Sequence, residues 1–509
     1  MDLFGVSGLR RIQPWLLAAL LLPATALAQQ PDASRPVLKP ALPNITALPN
    51  PLATPTQAPL PPQPQAPPAQ VQVGAGAQIR TGSVLGQANS STDLPRIETL
   101  LQDHQYIALE ALLNTPNAES SLTQPELDLF RGVLNARQNN LATSIRLLQP
   151  LADSLGTPGQ TAVAPAYVKF LRRTLAEDYL RLGDLHKAAA GYAALASQTT
   201  LTPEEQDTLE LPLKLLPLVA DNPPMTVEYG NPFSIPYDRD PLGLMEVPVF
   251  VDAQSHDWMF DPTAPFNLIC RSSAHLIGLK ISDDAVTVHG ITGRPIHVQA
   301  TLIPRLTLGE VTFRNVTAFV FDDADYFYPH SQYQIRGVLG YPAISALGSL
   351  RVTQSGSIEV QPGERGERLI SGAHFFLDGD QILVALGKPG DERTFQVDAS
   401  GQQTYLTSRY LSEHPDDFAG QKMKLLSVPG SASKPAAPAY TADKVHLLVG
   451  NTPLTLRDIQ VLADPLGNAA IDPTYGLLGM DILDGLKSYT FDYRTMLFAI
   501  ETEAPPDTP

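Results

Sequence analysis

The chain has 509 residues, 43% of them hydrophobic, enough for two to four domains with real cores. Its formal net charge is −17, which excludes the basic surface that nucleic-acid phosphates require and argues equally against docking on anionic lipid. Cys270 is the single cysteine, so an internal disulfide and a cysteine-ligated metal site are excluded, and the ten histidines show no HExxH spacing. No metal and no other cofactor is expected.

Residues 1–28 read as a signal peptide. Arg10 and Arg11 supply a basic start, Trp15 to Leu22 a short apolar run, and Ala26-Leu27-Ala28 a small-x-small cleavage site. The run is short for a bilayer span, so the mature chain is expected to begin near Gln29, periplasmic or secreted, with no stable membrane anchor. Residues 29–92 read as a tether. Their proline-rich, almost uncharged stretch from Pro51 to Ala69 cannot form a helix interior or a core, and extended, disordered chain is expected.

Residues 93–222 carry helical periodicity. Leu127, Phe130, Leu134 and then Ile145, Leu148, Leu151 recur at helical spacing, as do Tyr179, Leu182, Ala188 and Tyr192 across a turn at Gly183-Asp184. The stretch Leu175 to Asp184, followed by Ala188 and Tyr192, resembles a tetratricopeptide (TPR) helix pair, with a more degenerate copy turning at Asn139-Asn140. The resemblance implies a groove for a protein partner. A helical pack that steadies the next domain is the other reading.

After Pro223-Pro224 the texture changes to short β-branched and aromatic runs punctuated by Gly, Pro, Asn and Asp, which predicts an all-β region over 225–361 and 372–501, before a tail at 502–509. Val247 to Asp252, Val298 to Leu302, Val311 to Asp322 and Lys444 to Val449 read as strands, and Cys270 as a small buried side chain.

The region contains an internal repeat. One copy runs from Trp258-Met259-Phe260-Asp261 through Leu308-Gly309 to Val338-Leu339-Gly340. The other runs from Phe395-Gln396-Val397-Asp398 through Val449-Gly450 to Leu477-Leu478-Gly479. Aspartate to first glycine is 48 residues in one copy and 52 in the other, and aspartate to last glycine is 79 and 81. Landmarks in one order at nearly one spacing predict two equivalent lobes, each bringing one aspartate to a shared cleft.

An apolar strand ending in Asp, a helix after it and a later apolar-apolar-Gly resemble the retropepsin and pepsin-like aspartic peptidases over residues 230–501. Gly476 to Leu483 with Phe491-Asp492-Tyr493 is similar to the end of bacterial retropepsin-like proteins, and His289-Gly290-Ile291-Thr292-Gly293-Arg294 to their flap hairpin. The resemblance implies that Asp261 and Asp398 are the catalytic pair. It also implies that Leu339-Gly340 and Leu478-Gly479 pack beneath the two aspartate loops, and that an extended peptide or protein substrate lies between the lobes under a flap carrying His289, Gly290, Thr292 and Gly293. Two neighbouring carboxylates cannot both ionise cheaply, so they share a proton. The ionised one activates water and the protonated one donates to the scissile carbonyl.

The family expects Asp-Thr/Ser-Gly. Here the loops read Asp261-Pro262-Thr263-Ala264 and Asp398-Ala399-Ser400-Gly401. Pro262 and Ala399 lack the hydroxyl that braces the two loops across the lobes, and Thr263 and Ser400 carry one a place later. Two functions follow: an exported aspartic endopeptidase, or a catalytically dead relative that binds peptide and offers its helices to a partner.

Overall fold

The structure, a computed structural model, describes residues 93–155, 163–289, 295–363, 366–398, 403–427, 436–468 and 471–502. The predicted signal peptide and tether, residues 1–92, lie outside these.

The first described part is helical: α1 (Leu94–Gln102), α2 (Tyr106–Leu113), α3 (Pro116–Ser121), α4 (Gln124–Arg137), α5 (Leu141–Ser154), α6 (Pro165–Leu182), α7 (Leu185–Gln198) and α8 (Pro203–Leu215). Local chemistry sets the ends. A capping box, Thr123 with Glu126, starts α4, and Thr202 with Glu205 does the same for α8. Gly183 ends α6 at φ 80, a left-handed conformation that costs a glycine nothing, and Asp184 then caps α7 by accepting from the Lys187 N–H. No described helix is long and apolar enough to cross a membrane.

The rest is mostly β-sheet. The first half holds β1 (Thr226–Glu228), β2 (Phe233–Pro236), β3 (Asp238–Arg239), β4 (Met245–Val251), β5 (Gln254–Phe260), β6 (Asn267–Cys270), α9 (Arg271–Ile277), β7 (Val286–His289), β8 (Pro295–Leu308) and β9 (Val311–Phe321). It continues with β10 (Phe327–Tyr328), β11 (Tyr333–Gln334), β12 (Gly337–Leu339), α10 (Tyr341–Ser345), β13 (Ser349–Thr353) and β14 (Ser357–Gln361). The second half holds β15 (Ala373–Asp378), β16 (Gln381–Lys388), β17 (Asp391–Val397), β18 (Tyr405–Leu406), α11 (Ser408–Glu413), β19 (Lys424–Ser427) and β20 (Ala436–Val449). It closes with β21 (Thr452–Leu462), β22 (Gly476–Leu478), α12 (Met480–Leu483), β23 (Ser488–Asp492) and β24 (Leu497–Glu501).

The halves share one topology. β5 pairs parallel with β12 as β17 does with β22, and β6 pairs antiparallel with β12 as β18 does with β22. β6 runs parallel to β9 as β18 does to β21. The long hairpin strands match in length, 14 and 11 residues in each half. One sheet joins the lobes in the order β15-β24-β23-β13-β14-β2. At its centre β13 meets β23 antiparallel, with Arg351 opposite Thr490. The flanking pairs, Ser349 with Asp492 and Thr353 with Ser488, exchange equivalent positions, so a pseudo-twofold axis passes through this pair.

Burial follows strand alternation. Trp258, Ile303, Leu306, Phe313 and Val320 join Val384, Phe395, Leu456, Phe491 and Phe498 in one core that runs through both lobes. The opposite faces are covered as well. Val288, Ile296, Val298 and Phe319 of the first lobe, and Phe376, Leu383 and Ala385 of the second, are buried in the same cluster as the helical residues. The helices therefore pack against both lobes at once.

Candidate active site

Both aspartates leave their strands in the same way. β5 ends at Phe260 opposite Leu339, and the Asp261 N–H donates to the Leu339 carbonyl at 3.0 Å. β17 ends at Val397 opposite Leu478, and the Asp398 N–H donates to the Leu478 carbonyl at 3.0 Å. Leu339 and Leu478 are buried beneath the two loops. Gly340 must be small. A Cβ there would lie 2.4 Å from the Phe266 carbonyl oxygen and 2.7 Å from that of Ala264, both backbone atoms of the Asp261 loop.

A tether beneath each loop was missed in the sequence. The Gly340 N–H donates to Asn267 Oδ1, and the Gly479 N–H to Thr404 Oγ1, both at 2.9 Å. Both side chains are buried, and each stands six residues after its aspartate, a regularity the spacing contained. Asp481 completes the second tether by accepting from the Thr404 hydroxyl at 2.6 Å and from its N–H at 3.0 Å.

Asp261 is 1% exposed. Its Oδ1 accepts from the Thr263 N–H at 2.9 Å and the Thr263 hydroxyl at 2.6 Å. Among the described residues nothing donates to its buried Oδ2. Burial pushes the Asp261 carboxyl up to about 6; the two Thr263 bonds oppose the rise and the negative charge of Asp398 adds to it. Asp398 is half-buried and near enough for that charge to be felt. A buried carboxyl poised near 6 that senses the charge of a second aspartate can hold and deliver a proton.

Among the described residues the displaced Thr263 hydroxyl does not bridge the lobes. Thr263 turns it back onto Asp261 of its own loop, and Pro262 beside it has no donor to offer. Ala264 is buried, and its carbonyl accepts from the Tyr341 N–H at 2.8 Å, which ties the loop to α10. Ala399, Ser400 and Gly401 lie outside the described residues, as do Gly290, Thr292 and Gly293. His289 ends β7 with its Nδ1 2.8 Å from Glu210 Oε1 of α8, and Lys214 of the same helix donates to the Thr287 carbonyl at 2.6 Å. The base of the β7–β8 hairpin is thus fastened to a helix. Cys270 is buried and unpaired. Among the described residues no group of three or more His, Cys, Asp or Glu could hold a metal ion.

Residues 247–343 match the family model described as Aspartyl protease, a span that runs from β4 to α10 and includes Asp261. The chain carries an aspartic-protease-like domain. The crystal structure of a retropepsin-like aspartic protease from Rickettsia conorii is similar to this chain at 18% identity, over 26% of this chain and 99% of that one, with a TM-score of 0.20. No curated protein matches. In the aspartic-protease-like domain the matched segment supplies one aspartate loop with its Leu339-Gly340 support, and Asp398 stands at the equivalent place in the second half.

Proposed function

We propose that this protein is an exported aspartic-peptidase-like protein that binds extended peptide between its two lobes, with Asp261 and Asp398 as the carboxylate pair. The observation that carries the reading is the raised Asp261 carboxyl, buried and within reach of the charge of an aspartate at the equivalent place in the other half. In this reading Asp261 holds the shared proton and donates it to the scissile carbonyl, while Asp398 takes a proton from the attacking water. Neither a covalent intermediate nor a cofactor is needed. The chemistry suits acidic pH, below about 6, where Asp261 is still protonated.

A second reading, peptide binding without turnover, is favoured by the Thr263 hydroxyl. It faces its own aspartate and leaves the two loops without a brace from this side. In that reading the helix pairs, TPR-like in their turns at Asn139 and Gly183, serve as a further surface for a protein partner.

A peptidase assay on the full chain between pH 3 and 8, beside Asp261→Asn and Asp398→Asn, separates the two. Hydrolysis that falls by three or more orders of magnitude in each variant establishes the pair. Hydrolysis that survives both substitutions removes the assignment. No hydrolysis, with peptide still bound, establishes the second reading.

A further inference from the structure

The two halves differ at one equivalent place. β7 and β19 each precede a 14-residue strand, pair antiparallel with its start and stand at the end of a sheet. In the first lobe this strand is covered. Val288 is buried in the cluster shared with the helices, and Lys214 of α8 donates to the Thr287 carbonyl. In the second lobe it is bare. β19 pairs with β20, and among the described residues no strand pairs with its outer edge. A bare edge presents backbone N–H and C=O groups to solvent.

The side chains of this edge have two distinct faces. Leu426 turns inward and is buried, across from the buried Ala437 of β20. Leu425 turns outward, 78% exposed, across from Pro438, and Met423, two residues before it, is 56% exposed. Lys422 and Lys424 alternate with them and are exposed, and among the described residues neither is paired with an acid. Lysines alone blunt an edge against pairing, but two large apolar side chains left in water beside them invite it. In a chain of net charge −17 the unpaired lysines also reverse the prevailing sign.

We propose that β19 is a docking edge for an extended segment of a partner protein whose side chains alternate between acidic and apolar. Added as one more strand, such a segment satisfies the edge N–H and C=O groups. It lays its apolar side chains beside Met423 and Leu425 and turns its carboxylates toward Lys422 and Lys424. A second copy of this chain fits worse, because a symmetric pairing of two β19 edges brings the lysines of both copies together.

The test is the anisotropy of a fluorescent nonapeptide titrated with the full chain at pH 7. The probe alternates Glu and Val, and its control alternates Lys and Val. The acidic probe is expected to bind at least about tenfold tighter. N-methylation removes backbone donors, and only alternate amides of an added strand face β19. Methylating the Val amides or the Glu amides should therefore abolish binding, but not both. Leu425→Glu, and Lys422→Glu with Lys424→Glu, should each weaken the acidic probe about tenfold. All three side chains are exposed, so the fold is not at stake. Binding that is unchanged in these variants places the probe elsewhere, such as the cleft between the lobes, and overturns the docking edge. Equal loss from both methylated sets, or from neither, overturns strand addition. Equal or tighter binding of the Lys probe overturns the acidic partner, and no binding of either probe overturns the proposal whole. A dimer of the full chain that Leu425→Glu dissociates in sedimentation assigns the edge to a second copy and overturns it too.

Discussion

At the residue scale, the chemistry turns on one carboxyl. Asp261 is buried, its pKa is pushed from 3.8 to about 6, and its folded state therefore binds more protons than the unfolded chain between those two values. Its contribution to stability is fully present below pH 3.8 and is lost as pH rises through about 6. The span of roughly two units corresponds to about 3 kcal/mol at neutral pH. Asp261→Asn keeps the shape and the Oδ1 acceptor for Thr263 but cannot ionise. The variant should therefore unfold at higher urea than the parent at pH 7.5, and the two should converge near pH 4. A variant no more stable than the parent at pH 7.5 would mean the carboxyl is not held in this unfavourable state. A second expectation concerns the departed motif. Pro262→Thr with Thr263→Gly, and Ala399→Thr with Ser400→Gly, restore Asp-Thr-Gly in both loops. The change removes a hydroxyl that faces Asp261 and supplies one where a brace across the lobes needs it. Peptide hydrolysis should rise in the repaired chain. If it does not, and the repaired chain is folded, loss of the braces is not what limits turnover.

At the scale of elements, the join between helices and lobes is built on a buried ionic cluster. Asp378, at the end of β15, accepts from the Tyr106 hydroxyl of α2 at 2.7 Å and pairs with Arg137 of α4 at 2.8 Å. Burial opposes its ionisation. Arg137 and His104 overcome that and hold the Asp378 carboxyl well below the usual carboxylate range. Its contribution is thus present above pH 3.8 and lost in stronger acid, as pH falls through the folded-state pKa. Asp378→Ala would take from Arg137, 5% exposed, its 2.8 Å partner and leave it Glu177 at 3.3 Å. A loss of about 3–5 kcal/mol in chemical denaturation at pH 7 is expected. A loss under 1 kcal/mol would show that the cluster does not hold the helices to β15. The elements were unevenly legible in the sequence. Repeat spacing exposed the equivalent loops because β5, β12 and their counterparts are fixed at matching places in one topology. The long hairpins extend beyond the runs read as strands, since β8 begins at Pro295 and β20 at Ala436, where proline and alanine weaken the β pattern. Where the Thr263 hydroxyl points was not legible in the motif; a hydroxyl two residues after an aspartate reaches that aspartate first.

At the scale of the whole molecule, the helices complete the fold on two lobes instead of standing apart from them. One signal of this lay in the sequence. Ile382-Leu383-Val384-Ala385-Leu386 is an unbroken apolar run where a half-exposed strand would alternate. Ile382, Val384 and Leu386 enter the core of the lobes, and Leu383 and Ala385 enter the cluster shared with the helices. Which element covers the second face could not be read from the run itself, because apolar pattern records burial and not the partner. The consequence is testable. A chain lacking residues 93–222 would uncover Val288, Ile296 and Phe319 on one lobe and Phe376 and Leu383 on the other, all at most 5% exposed in the complete protein. It would also release the β7–β8 hairpin from Glu210 and Lys214, and strand Asp378 without Arg137. Exposed apolar area of that kind drives self-association. The shortened chain should elute as soluble aggregate in size exclusion and bind an apolar dye strongly, and the full chain should do neither. A shortened chain that stays monomeric and unfolds at the same denaturant concentration as the parent would show that the lobes form a self-sufficient unit and that the helices are an accessory to it.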